Sequence, residues 1–463
     1  MPAETQARPV SEWRTDFRLT LRLALPLIFA ELGWMSMGLV DTLMVGRLPD
    51  SAVAIGATGL GQSLYHAVVI FGEGLLLGMD TYLAQAHGRK DARDAGHTLF
   101  NGLVLAFLLA PVLMVAISFW PAVIERFGVS PDLTRPMRRF LGALNWGTLP
   151  LLAYFPLRRY LQAANVAVPI MFAQVSANLV NALGDWVLIY GHWGFRAHGV
   201  AGSGWSTCLA RIYMVLVLAA TLVWVESNST VFGQAHWIHR LRIDTARMWA
   251  LLKLGIPAAS QILLEIGAFA TATALCAKLG PVSLAGHQIA LNCAALTFMV
   301  PLGISSAAAV RVGQQLGRRD PAGARRAGWS AMALGVGFMG CAGLVFLSFP
   351  RWIARAFSPD PAVIRVGATL LLVAAAFQLF DGLQVVTTGA LRGAGDTKTP
   401  MMANLVAYWL IGLPVGYVLG FPMGWGVLGI WLGLCFGLVI VGSALVVAWR
   451  GKNLSAWARS DGA

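Results

Sequence analysis

Leu251 to Gly280 reads LLKLGIPAASQILLEIGAFATATALCAKLG, a long apolar run with one acidic residue, Glu265, close to its middle. A bilayer crossing takes about 20 apolar residues in helix, so the run can span. An ionised carboxylate at that depth costs roughly 2.5–3.5 kcal/mol on insertion scales. It is tolerated only where it faces a protein interior or a wet cavity. Gln261, Glu265, Ala268 and Ala272 share one helical face, small and polar beside the acid. A protonated Glu bonded to a neighbouring helix is the bland reading. Intramembrane acids more often mark ion or substrate paths.

Runs of this kind recur along all 463 residues, which are 57% hydrophobic and 12% charged, with mean hydropathy +0.68. That excludes a soluble globular chain and predicts an all-α polytopic membrane protein. The runs do not alternate as the strands of a β-barrel would. A net charge of +13 does not signal nucleic acid, because the Lys and Arg lie in short loops between apolar runs. All five cysteines sit within spans, so there is neither a disulfide framework nor a metal spacing. No phosphate loop, HExxH or nucleophile elbow occurs. Neither an enzyme nor a cofactor is therefore expected, and an ion gradient must supply the energy.

The runs predict twelve spans: 20–46, 54–80, 97–120, 140–158, 167–190 and 201–225, then 247–278, 284–311, 327–349, 362–388, 400–420 and 427–449. Loops on the side of the termini hold roughly 23 Lys and Arg against roughly 10 opposite, which places both termini in the cytoplasm. Arg158 and Arg159 count among the 23. The halves also repeat. Aligning Gly88 with Gly317 aligns Arg89 with Arg318 and Asp91 with Asp320, and LQAANVAVP (Leu161–Pro169) answers RGAGDTKTP (Arg392–Pro400). Offsets stay near 230, so six spans separate the copies, and an even number makes the repeats parallel. The expected division is an N-terminal lobe 1–225, a cytoplasmic linker 226–246 and a C-terminal lobe 247–463.

Several spans carry polar faces. Span ten places Gln378, Asp381, Gln384 and Thr388 on one face, and span five does the same with Gln174, Asn178, Asn181 and Asp185. Span eight adds Gln288 and Asn292 one turn apart, and His287, read as interfacial. Spans one and two contribute Glu31, Asp41, Glu73 and Asp80. Such carboxyls can be oxygen ligands for Na⁺ or proton carriers. For the neutral amides Gln261, Gln288, Asn292, Gln378, Gln384, Asn178 and Gln174, candidates for a substrate cavity, helix–helix hydrogen bonding is the stronger alternative. Glu31 and Glu73 stay open between the two, and Glu31 lies early enough in its span to be wet.

VDTLMVGRL (Val40–Leu48), DTYLAQAHG (Asp80–Gly88), the Glu of span seven and FDGLQVVTTGALRGAGDTKTP (Phe380–Pro400) resemble the multidrug and toxic compound extrusion (MATE) family, in its NorM-like bacterial branch. The resemblance implies two pseudo-symmetric six-helix lobes forming a V-shaped cleft. It also implies a monomer in the bacterial inner membrane that exports cationic amphipathic drugs in exchange for Na⁺ or H⁺. Glu265 and Asp381 match the family's C-lobe cation-coupling acids, with Na⁺ a candidate ligand. Asp41, Asn181 and Asp185 match its N-lobe cluster, which Thr207 or Ser203 could complete. The rival is a lipid-linked oligosaccharide flippase of the same superfamily. That protein would favour Arg and Lys in its cavity, whereas the intramembrane charges here read as mostly acidic.

Overall fold

The computed structural model describes residues 9–228 and 242–454. Among these, every regular element is helical: α1 (Pro9–Val45), α2 (Ser51–Leu76), α3 (Met79–Arg89), α4 (Ala92–Arg126), α5 (Pro131–Asn145), α6 (Thr148–Ala163), α7 (Val168–Tyr190), α8 (Val200–Asn228), α9 (Thr245–Lys278), α10 (Pro281–Gly317), α11 (Pro321–Ser348), α12 (Pro350–Phe357), α13 (Pro361–Gly393), α14 (Lys398–Asn404), a π-helical segment (Leu405–Gly412), α15 (Leu413–Gly420) and α16 (Gly426–Gly451). Proline at the first turn starts α5, α10, α11, α12 and α13, where its missing N–H costs nothing.

Ten of the described helices are long and apolar enough to cross a bilayer, and α5 with α6 makes an eleventh crossing, bent by 43°. Span four, expected as one helix from 140, is therefore two, broken at Trp146–Gly147. The twelfth is α7. Its 23 residues reach about 35 Å at 1.5 Å per residue, enough for a core of about 30 Å. The polar face of Gln174, Asn178, Asn181 and Asp185 is what lowers its apolarity.

Two compact units divide the described chain. The C unit holds residues up to Ile28 together with those from Ser260 onward, and the N unit is Phe29–Ala259. The first turns of α1 thus pack with the C unit and those of α9 with the N unit. Residues 229–241, most of the expected linker, lie outside the described residues.

The repeat is visible in the turns. Lys90 and Arg319 both take left-handed backbone, at φ 59° and 61°. Each is followed by an aspartate that caps the next helix, Asp91 accepting from Asp94 N at 3.0 Å and Asp320 from Gly323 N at 2.8 Å. Asn165 and Gly395, at φ 62° and 77°, form a second matched pair. The starts of α1 and α9 are also held alike, with charges reversed. In the C unit Asp16 accepts from Arg311 at 2.7 Å and Arg326 at 3.3 Å. In the N unit Arg247 of α9 donates to Asp94 of α4. Asp244 caps α9, and hydrogen bonds from the Arg247 and Ala246 backbone hold its carboxyl below the ordinary value.

Within the N unit, α9 crosses the α2–α3 junction at backbone distance. A Cβ on Gly74 would stand 2.5 Å from Cα of Ala259, and one on Gly255 would run into the carbonyl of Leu75. Backbone cannot swing aside as a side chain can. Gly255→Val is expected to cost about 1–3 kcal/mol, the range for overpacking, and to lower the midpoint of thermal unfolding in detergent. An unchanged midpoint would contradict so close a crossing.

Candidate functional site

In the C unit, one oxygen of Glu265 gathers three amide donors. Oε2 accepts from Gln261 Nε2 at 2.9 Å, one turn back on α9, from Gln384 Nε2 of α13 at 3.2 Å, and from Asn404 Nδ2 at 3.4 Å. Asp381 lies on α13 one turn before Gln384, buried and without a side-chain hydrogen bond among the described residues. Tyr408, in the π-helical segment one turn beyond Asn404, is fully buried with an unpartnered hydroxyl. Trp409 donates to the Leu264 carbonyl at 2.9 Å, fixing that segment against α9. π-helical stretches cluster at functional positions, and this one carries the buried Tyr408. The amide oxygens of Gln384 and Asn404 are buried without partners. Turning an amide over exchanges its donor and acceptor ends. The same ring can therefore present N–H groups to a carboxylate or oxygens to a hard cation.

The other expected residues of this unit make no hydrogen bond to Glu265 among the described residues. Gln378 Nε2 donates to Thr297 Oγ1 at 2.6 Å, tying α13 to α10. Gln288 and Asn292 are exposed on α10 and take no part in the Glu265 cluster. His287, read as interfacial, is fully buried instead. Its Nδ1 accepts from Trp431 Nε1 at 3.0 Å, which leaves Nε2 to donate to Thr273 Oγ1 at 2.8 Å. Both ring nitrogens are thereby satisfied in the neutral form.

In the N unit, Asn181 of α7 donates to Asp41 Oδ1 of α1 at 2.5 Å and to Asp185 Oδ2 at 3.4 Å, so one amide serves two carboxyls. Thr207 of α8 donates to Asp41 Oδ2 at 3.3 Å, while Ser203 Oγ has no partner. Thr207 completes this cluster. Ser206 Oγ donates to the Asn181 carbonyl at 2.5 Å and so steadies the shared residue. Asn178 bridges α7 to α1, giving to Gly33 O at 3.0 Å and accepting from Ser36 Oγ at 3.0 Å; Gln174 accepts from Tyr154 at 3.3 Å. Both are helix–helix ties.

Beside this lies a set that sequence reasoning missed. Arg158 and Arg159, counted as loop cations, are buried in α6. Arg158 pairs with Glu31, and Arg159 lies 3.4 Å from Asp80. Glu31 is thus a buried ion-pair partner, not a wet residue. Arg211 of α8, also buried, donates to Tyr65 OH at 2.5 Å and lies over that ring at 4.9 Å. The buried charge of this unit is consequently mixed, not mostly acidic. Glu73 Oε1 is buried without a hydrogen bond.

The MatE family profile matches the chain twice, over residues 26–187 and 257–418. The chain belongs to the MatE family. The two matches stand about 230 residues apart, as the repeat does, and between them they include both clusters except Thr207. A probable multidrug resistance protein NorM of Mesorhizobium japonicum is 38% identical over 96% of each chain, and a multidrug resistance protein NorM of Burkholderia vietnamiensis is 36% identical over 93% of this chain and 92% of its own. Among solved structures, the eukaryotic MATE transporter AtDTX14 matches at TM-score 0.84 and 22% identity, covering 97% of this chain and 98% of its own. An outward-facing multidrug resistance MATE transporter matches at TM-score 0.85 and 16% identity over 99% and 100%. Those two establish the fold. Membership of MatE makes the chain a multi-pass membrane transporter and not an enzyme.

Proposed function

We propose that this MatE member is a multidrug efflux antiporter of the bacterial inner membrane, exporting cationic amphipathic compounds in exchange for Na⁺ or H⁺ by alternating access. The observation that carries this is the Glu265 cluster: a span carboxylate with three amide donors, and Asp381 beside it without a hydrogen bond. An acid held this way can take up and release a cation while its surroundings rearrange by amide rotation alone. The Asp41–Asn181–Asp185–Thr207 cluster is the second candidate for coupling. The chain works as a monomer, with lobes 1–225 and 247–463 joined by 226–246. Everted vesicles test the reading. Ethidium efflux is expected under an imposed Na⁺ or H⁺ gradient and not without one, and an anionic dye of matched size should move far more slowly. Equal transport of both dyes would count against it.

Both termini belong on the cytoplasmic side by the same proposal, since even the buried Arg158 and Arg159 leave the loop charge unequal. A Ser455→Cys variant should stay unlabelled by an impermeant maleimide in intact cells and react once the membrane is opened. Labelling in intact cells would reverse the orientation.

A further inference from the structure

α16 and the helix opposite it touch backbone to backbone over part of their length and part company over the rest. A Cβ on Gly437 would stand 2.8 Å from the Ala407 carbonyl, and one on Gly433 would run into Gly416. Where the two helices run on toward Lys398 and Arg450, this contact gives way to a cavity of about 420 Å³. Lys398, Met402 and Val406, at the four-residue spacing of one helical face, line one wall with Thr399 and Ala403 beside them, and Ile440 and Ala444 line the other. Apart from Lys398 and Thr399 the lining is apolar. Met402 and Val406 are 49% and 39% exposed.

Charge at the mouth of this groove is uneven. Asp396 is matched already: Lys452 Nζ lies 2.5 Å from its Oδ2, and Thr399 Oγ1 donates to the same oxygen at 2.9 Å. Burial pushes the Asp396 carboxyl up, but these donors hold it below the ordinary value, so it remains ionised and Lys452 and Thr399 stay engaged. Lys398 is exposed and has no ion pair among the described residues. An unmatched ammonium at the polar end of an apolar slot describes one ligand chemistry: a headgroup phosphate with an acyl chain below it.

We propose that this groove binds one anionic phospholipid, its phosphate on Lys398 and one acyl chain along Met402, Val406, Ile440 and Ala444. The cavity falls within the range of about 300–1,000 Å³ for small-molecule sites. It opens on the end of the helices that carries the excess of Lys and Arg, where basic pockets between spans take anionic headgroups. The site is separate from the Glu265 cluster and does not depend on what the protein exports.

The test counts bound lipid on the purified full chain by native mass spectrometry, titrating phosphatidylglycerol against phosphatidylcholine with identical acyl chains. One phosphatidylglycerol should be held about fivefold more tightly, the worth of one basic residue near a surface. K398Q should abolish that preference while leaving thermal stability unchanged, because the side chain is exposed. A444W, which fills the apolar wall, should weaken both lipids. Equal retention of the two lipids, a preference that survives K398Q, or binding untouched by A444W would each overturn the proposal.

Discussion

A Glu265→Gln variant is expected to fold, reach the membrane and lose gradient-driven efflux, falling to the level of cells without the transporter. The argument is geometric. Glutamine keeps the shape of the side chain and one oxygen, and that oxygen can still accept from Gln261, Gln384 and Asn404, which now bond to a single carboxylate oxygen. What it lacks is the charge that takes up a proton or Na⁺. In an antiporter each ligand weakens the other's affinity, and the effect is reciprocal. A site that cannot bind the driving ion therefore cannot release the exported compound on demand, although binding of that compound survives. Asp41→Asn applies the same removal to the N unit, where the Asn181 and Thr207 donors would face an amide. Efflux of ethidium at matched expression, with dye binding measured on the purified variants, separates coupling from recognition. Should Glu265→Gln transport normally while Asp41→Asn fails, coupling resides in the N unit and the amide ring around Glu265 is structural.

The spans and the repeat were legible because both depend on features that sequence carries directly. Apolar runs set the crossings, and left-handed turns with a capping aspartate recur at Lys90–Asp91 and Arg319–Asp320. Polar faces were legible too. Asn181 and Asp185 stand one turn apart, as do Gln261 and Glu265, and both pairs interact. Partners supplied by other helices were harder to see. Asn404 joins the Glu265 cluster from α14, yet a lone Asn in an apolar run reads only as one more polar residue. Tertiary packing also decided the fate of the neutral amides: Gln384 serves the acid, Gln378 and Asn178 tie helices, and Gln288 and Asn292 are exposed. Hydropathy misplaced Arg158 most clearly. A paired arginine scores as a loop residue, because a window average cannot register that Glu31 lies against it from a helix 127 positions away.

That pair supports the second large effect. Arg158→Met should destabilise the protein by about 3–5 kcal/mol, the usual cost of leaving one member of a buried ion pair alone. Here the abandoned group would be Glu31, buried in α1 with its strongest partner gone. Replacing both residues, as Glu31→Gln with Arg158→Met, removes the isolated charge and should recover most of the stability. Recovery is the informative result, since well-packed neutral groups often substitute for buried ion pairs without penalty. Unfolding midpoints in detergent for the wild type, the single variant and the double variant form the comparison. If the single variant is as stable as the double, the pair carries no such charge burden. If the double variant regains stability and also ethidium efflux, Glu31 and Arg158 hold α1 against α6, and coupling belongs to the other carboxyls.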